Sequence, residues 1–245
     1  MNSYLAKKQK KNELDIYLKP KLLKILERTT LFMKVYRSGK IPKIIRILPS
    51  IKNFEEMLWL TRPDTWSNSA VYSITRSFLP KLDKKQMSRF FSLILAPRFQ
   101  ETIFQRKSYS IHVQKALKIS TNYPSIFFSS IVLPICESKH CSMKEGVAIS
   151  AILMKYRFPP KIIITVIVRL INNPVSAPKC IILKTIINKN YLLPLRIIDI
   201  LVDFFIANHN KFYFSHFKML FLSFTKNYST SLSTEDKQKL QKVKF

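Results

Sequence analysis

Residues 129–153 read SSIVLPICESKHCSMKEGVAISAIL, and their reading decides the fold. The stretch is apolar as far as Cys136, turns through Glu137-Ser138-Lys139-His140-Cys141, and resumes as a second apolar-periodic run. The restart carries a helix-start signal. Ser142 suits an N-cap, and Glu145, three residues on, can return its carboxylate to the Ser142 amide. Two apolar helices joined by a tight polar turn cannot bury both faces alone and need like units on either side. The stretch therefore predicts one hairpin of a helical array.

The same grammar extends outward in both directions. Pro124 leads into the hairpin, after a helix around residues 111–119. Before that, Asp83 with Gln86 caps a helix whose face is Met87, Phe90, Phe91, Ile94 and Leu95; Pro97 is expected to kink it, because Phe99, Ile103 and Phe104 continue the pattern. Asn53 with Glu56 caps a short helix that Pro63 breaks, and a longer one follows, carrying Trp66, Ala70, Ile74 and Phe78. The first helix runs from about Pro20 through Leu22, Leu23, Leu26, Phe32, Met33 and Tyr36, with Gly39 as its left-handed C-terminal cap. Pro42 opens a short helix that Pro49 closes.

Towards the C-terminus, Pro160, Pro178 and Pro194 start helices that reach Leu170, Ile187 and Ile206. Residues 162–168 are β-branched enough to mimic a strand, but their helical neighbours and short linkers make them a buried helix. Residues 212–228 are apolar on one side, and Ser233 with Asp236 caps a last helix to Val243. The expected architecture is all-α: an α-solenoid of degenerate HEAT/TPR-like repeats, roughly ten or more helices, with no clean repeat period. Residues 1–12 read as a flexible basic tail and residues 13–245 as one domain.

Composition agrees. Two glycines stand against 13 prolines, which leaves almost nothing for phosphate-cradling loops or hairpins. A formal charge of +28, from 42 Lys+Arg against 14 Asp+Glu, calls for a polyanion, either nucleic acid or an anionic membrane. Three cysteines form no disulfide framework, the first eleven residues lack the apolar core of a secretory signal, and charges or prolines interrupt every long apolar run. These features lead to the expectation of a soluble nuclear or cytoplasmic protein without membrane insertion.

Chemistry is sparse. Cys136, His140 and Cys141 lack the second close-spaced ligand pair of a zinc site, so no metal is expected. Asp199 and Asp203 share a helix face with Arg196, a pattern that suits an intrahelical charge network or a contact between repeats better than an acid/base dyad. His112, His209 and His216 are scattered, and neither GxxxxGK[ST] nor GxGxxG occurs. Two basic groups are more informative. Lys34, Arg37, Lys40, Lys43 and Arg46 crowd a helix end and the next helix start, interleaved with Tyr36 and Pro42; Arg98, Arg106 and Lys107 lie near Tyr109. Lysines offer point charges to phosphate, and arginines bridge phosphates or stack on bases.

Several blocks, in order, resemble the bystin family: YRSGKIPKIIRILP at 36–49, Trp66, Tyr72, Thr75 and Arg76 within TWSNSAVYSITRSF, RFFSLILAPRF at 89–99, LPICES at 133–138 followed by Cys141, and YLLPLRIIDILVDFF at 191–205. The signature turn then comprises Pro134, Cys136, Glu137, Ser138 and Cys141, followed by the capping pair Ser142 and Glu145. The resemblance implies a non-catalytic, cofactor-free helical-repeat assembly factor of the small (40S) ribosomal subunit. Such factors act in the nucleolar 90S precursor, where small-subunit RNA is processed with small nucleolar RNA, and remain on the later pre-40S particle. The implied partners are precursor rRNA, small-subunit ribosomal proteins of the head and beak, and another assembly factor. The implied location is the nucleus and nucleolus, with passage to the cytoplasm on pre-40S particles. Set against the family, the chain is expected to keep almost nothing of the long charged N-terminal extension, and it departs in Ser125-Ile126-Phe127-Phe128 before the hairpin and in Lys139-His140 within the turn. The alternative reading is a basic helical adaptor at an anionic membrane or in another complex; a hydrolase using Asp199 and Asp203 is a third.

Overall fold

Proline and short polar caps punctuate the chain, and the helices start and stop at those residues. The computed structural model describes residues 20–51, 53–105, 110–138, 141–211 and 215–242, and every regular element among them is helical, residues 162–168 included. The expected basic tail, 1–12, lies outside them. In order the elements are α1 (Pro20–Val35), α2 (Lys43–Ile47) running into a 3-10 turn (Leu48–Ser50), α3 (Phe54–Leu60), a second 3-10 turn (Pro63–Thr65) and α4 (Asn68–Phe78). Next come α5 (Lys84–Phe90), a π turn (Phe91–Leu95), α6 (Ala96–Gln105), α7 (Ile111–Ser120), α8 (Pro124–Phe127), a second π turn (Phe128–Val132) and α9 (Leu133–Glu137). The chain closes with α10 (Met143–Lys155), α11 (Pro160–Ile171), α12 (Ala177–Ile187), α13 (Leu195–Ala207), a 3-10 turn (His209–Lys211), α14 (Ser215–Asn227) and α15 (Thr234–Lys242).

Packing divides these helices into two compact units. The first takes the described residues up to Met87 together with Ser110–Ile119. Here α2 packs on α4, α3 on the Leu48–Ser50 turn, and α1 on the Pro63–Thr65 turn. Met33, Ile45, Trp66 and Phe78 are buried in this core, where the Trp66 indole donates to the Thr61 carbonyl at 2.9 Å. Three local expectations change. Trp66 precedes α4 instead of lying in it, because Ser67 is the N-cap and accepts from the Ala70 amide at 3.1 Å. Asn53 stands at the start of α3 without a side-chain cap bond. Gly39 has the positive φ foreseen (+106°), but α1 ends at Val35, so the glycine shapes the following loop.

The second unit is a two-layer array. One layer stacks α6, α10, α12 and α14 in that order, and the other stacks α9, α11, α13 and α15. Each repeat contributes one helix to each layer, as the hairpin at 129–153 requires. Phe205 on α13 packs against Phe217, Phe221 and Phe224 of α14, with centroid distances of 5.2–5.6 Å. A buried phenylalanine of this kind contributes about 2–3 kcal/mol. At the start of the stack, Gly146 of α10 touches Pro178 of α12 so closely that a Cβ would lie 2.7 Å from the proline Cβ and 2.8 Å from its Cα.

Pro97 neither ends nor simply kinks its helix. A π turn precedes it, in which the Ala96 amide donates to the Phe91 carbonyl, five residues back. That register shift accommodates a ring that cannot donate and that would collide with the preceding turn. Pro134 is carried in the same way, with the Leu133 amide donating to the Phe128 carbonyl. The two π turns pack on each other, and Ser88 Oγ and Ser130 Oγ share a hydrogen bond of 2.8 Å. Aligned on these turns, S-x-F-F-S-x-I-x-x-P occurs at 88–97 and again at 125–134. The same offset, 37 residues, separates Lys189-Asn190-Tyr191 from Lys226-Asn227-Tyr228. The repeat period that composition alone concealed is therefore present in fragments.

Those tyrosines also tie repeats together. The Phe158 amide donates to the Tyr191 hydroxyl at 3.0 Å, and the Tyr228 hydroxyl donates to the Tyr191 carbonyl at 2.8 Å. Lys189 Nζ caps the Tyr156 carbonyl, and Asn227 donates to the Ile187 carbonyl at 3.3 Å. Burial, and then the neighbouring Tyr191, pushes the Tyr228 hydroxyl up to about 12, so it stays a donor at neutral pH.

Candidate nucleic-acid interface

The first basic group is assembled by the junction of α1 with α2. Lys34 sits in the last turn of α1, Arg37 and Lys40 lie in the loop, and Lys43 and Arg46 lie on α2; all five are exposed. None of them forms an ion pair among the described residues. The backbone beneath them is fixed. Tyr36 is buried, and its hydroxyl closes the loop by donating to the Gly39 carbonyl at 2.7 Å. Ser67 Oγ donates to the Tyr36 carbonyl at 2.5 Å, and the Ser67 amide donates to the Met33 carbonyl at 3.1 Å. Cap and loop thus share one serine. Space is open around Gly39, but its φ of +106° penalises any side chain there.

Such a platform presents five positive charges with little conformational cost, and their mutual repulsion falls when a polyanion binds. The structure brings in a further cation that the sequence did not indicate: Lys81, whose Nζ donates to the Arg46 carbonyl at 2.9 Å. It also changes the aromatic assignment. Tyr36 is spent on the fold and cannot stack on a base, whereas Phe32, one helical turn earlier and 45% exposed, can. Phe32 was legible only as an apolar helix position. Its exposure depends on which face α1 buries.

The second group does not assemble in the same way. The Arg98 side chain is mostly covered and pairs with Glu101 at 3.2 Å. Arg106, Lys107 and Tyr109 lie outside the described residues.

The signature turn is built from internal bonds. Pro134 follows the second π turn, and Cys136 is buried in the core. Glu137 pairs with Arg169 of α11 at 3.3 Å, and Ser138 Oγ donates to the Ile135 carbonyl at 2.7 Å where α9 ends. The capping box forms as expected. Ser142 Oγ accepts from the Glu145 amide, and Glu145 accepts from the Ser142 amide at 2.6 Å. The other oxygen of Glu145 accepts from Gln100 at 2.9 Å, a partner on α6 that only tertiary structure supplies. Burial, with Cys141 as a second cause, pushes the Cys136 thiol up to about 12; burial and then Glu145 push Cys141 to about 11. Both thiols are therefore protonated and poor ligands at neutral pH. Lys139 and His140 lie outside the described residues, among which no group of three or more His, Cys, Asp or Glu side chains could hold a metal.

Arg196, Asp199 and Asp203 are exposed on α13, and the expected intrahelical network does not form: none has an ion-pair partner among the described residues. No helix of the described residues is long and apolar enough to cross a membrane.

Comparison with known proteins agrees with these blocks. A family model described as Bystin matches residues 2–244. The chain is 35% identical over 225 residues to Bystin of Nematostella vectensis, covering 91% of this chain and 52% of that protein. It is 30% identical over 225 residues to Bystin of Bos taurus, again covering 91% and 52%. With Bystin of Arabidopsis thaliana the identity is 31% over 229 residues, covering 93% and 52%. The chain spans about half the length of these relatives.

Proposed function

The chain belongs to the Bystin family, and on that premise we propose that it is a non-catalytic assembly factor of the small ribosomal subunit that binds precursor rRNA and neighbouring proteins of the head and beak. The observation that carries the reading is the clamped loop of Tyr36, Gly39 and Ser67, which holds exposed cations in place on a chain of net charge +28. Phosphate recognition needs this kind of prearranged positive surface and no reactive group. The partners are precursor rRNA, small-subunit ribosomal proteins and another pre-40S factor. The place of action is the nucleolus, with passage to the cytoplasm on the maturing particle.

The decisive experiment measures binding of the full chain to small-subunit precursor RNA across a salt series. Replacing Arg37, Lys40 and Lys43 together by Glu is expected to weaken binding by about tenfold or more and to flatten the salt dependence by about 0.7–0.9 per lost phosphate contact. Unaltered affinity would remove the loop from the interface. In cells, depletion is expected to lower mature small-subunit RNA, and normal small-subunit levels would defeat the ribosomal assignment. Flotation with anionic liposomes after RNase treatment separates this reading from a lipid-binding adaptor.

A further inference from the structure

We propose that the outward face of α10, α12 and α14 is a docking surface for an acidic, apolar-anchored segment of a partner protein. It extends the protein-binding half of the proposed function and rests on that reading only for the kind of complex involved.

Helix α10 is packed by α6 and α12 within its layer, so its exposed positions mark one free face. Val147 and Met154 stand there at 54% and 64% exposure, two turns apart on one stripe with the half-exposed Ala151 between them. Across the stack, Met219 and Leu222 of α14 are 46% and 50% exposed and again one turn apart. Between these helices α12 is nearly enclosed, and Ile181 is among its few half-exposed side chains. Scattered apolar residues on a surface need no explanation, but exposed apolar positions on α10 and α14, joined by Ile181 on the helix packed between them, suit an interaction site.

Charge specifies the occupant. The three helices contain a single carboxylate, Glu145, and the cap with Gln100 consumes it in the interior. The exposed Lys155 and Lys226, with the half-exposed Lys184, border the apolar positions. Elsewhere the same unit exposes acids, Asp199 and Asp203 on α13. On α10, α12 and α14 no carboxylate is exposed. Nucleic acid would use the lysines but gain little from Val147, Met154 and Leu222, since the aromatic rings of α14, Phe217, Phe221 and Phe224, are buried. A protein segment with apolar anchors among Asp and Glu satisfies both features.

The test screens the full chain against a displayed library of short random peptides and measures the enriched peptides in solution. The expected peptides carry apolar residues at helical spacing, flanked by Asp or Glu. Val147→Glu with Leu222→Glu is expected to weaken them by about tenfold or more. Lys155→Glu with Lys226→Glu should weaken them several-fold and reduce the salt dependence. All four positions are exposed, and melting curves like that of the parent protein confirm the fold. No enrichment, enrichment without acids, or equal binding by the apolar variant overturns the proposal. So does loss of precursor RNA binding, in place of peptide binding, by that variant. Replacing Arg37, Lys40 and Lys43 is expected to leave peptide binding unchanged, which keeps failure of the RNA reading separate from failure of this one.

Discussion

The loop from Tyr36 to Pro42 and the turn from Glu137 to Ser142 both join two helices, yet they use their polar groups in opposite ways. In the turn, charge meets protein partners: Glu137 reaches Arg169 at the surface, and beyond the turn the buried Glu145 takes Ser142 and Gln100. In the loop, neutral groups do the internal work through Tyr36, Gly39 and Ser67, and every cation is left outside. On the proposed function, the difference separates scaffold from interface. Ionised groups that already have protein partners hold a fold together, and ionised groups held in place by neutral partners await a ligand. The turn therefore serves the fold, and the loop is the candidate interface.

The largest test of this contrast is Glu145→Ala. It removes half of a capping box and leaves the Ser142 amide and the Gln100 side chain without their acceptor. The expected loss is about 2–3 kcal/mol, or about 4–12 °C in melting temperature, with little change in RNA affinity per folded molecule. A stability cost below about 1 kcal/mol would show that the turn tolerates loss of its internal charge. Next is Gly146→Ala. Helix propensity alone favours alanine by about 1 kcal/mol, but the added methyl meets the backbone of Pro178. The net expectation is a loss of about 1–2 kcal/mol, measured by denaturant unfolding. A more stable variant would mean that α10 and α12 can separate without penalty.

These two neighbours illustrate what the sequence could convey. The caps at Ser142/Glu145, Asp83/Gln86 and Ser233/Asp236 are local, depend on residues three apart, and were legible. The partner of Glu145 on α6 and the proline against Gly146 are not local, and no spacing encodes them. The π turns before Pro97 and Pro134 were illegible for a related reason. Periodicity continues through them, and only the register of a single amide reveals the shift. The 37-residue offset escaped because the repeats keep only a few serine, phenylalanine, isoleucine and proline positions and one loop tripeptide, while the rest has diverged. In the candidate site, the cations were legible as a cluster, but the fate of Tyr36 and Arg98 was not, because burial is decided by distant elements.

Ser67→Ala tests the loop side of the contrast without touching a cation. It removes the α4 cap and the clamp on the Tyr36 carbonyl together. A loss of about 1 kcal/mol is expected, accompanied by a several-fold fall in RNA affinity, because the cations must then be ordered on binding. Affinity that survives while stability falls would mean that charge alone, and not its arrangement, recognises RNA.

The smallest effect is expected at Glu137→Gln. Its partner Arg169 is 55% exposed and Glu137 itself 30%, so water and salt screen the pair strongly. The change should cost less than about 1 kcal/mol, and the cost should shrink further between low and high salt. A double-mutant cycle with Arg169→Gln isolates the pairing from the loss of either side chain. A small coupling energy would place the value of Glu137 in orienting α9 against α11, while a large one, undiminished by salt, would mean that the pair is shielded in the folded array. In either case RNA binding should follow the Arg37 loop and not this turn, because a carboxylate repels phosphate and Arg169 already has an anionic neighbour.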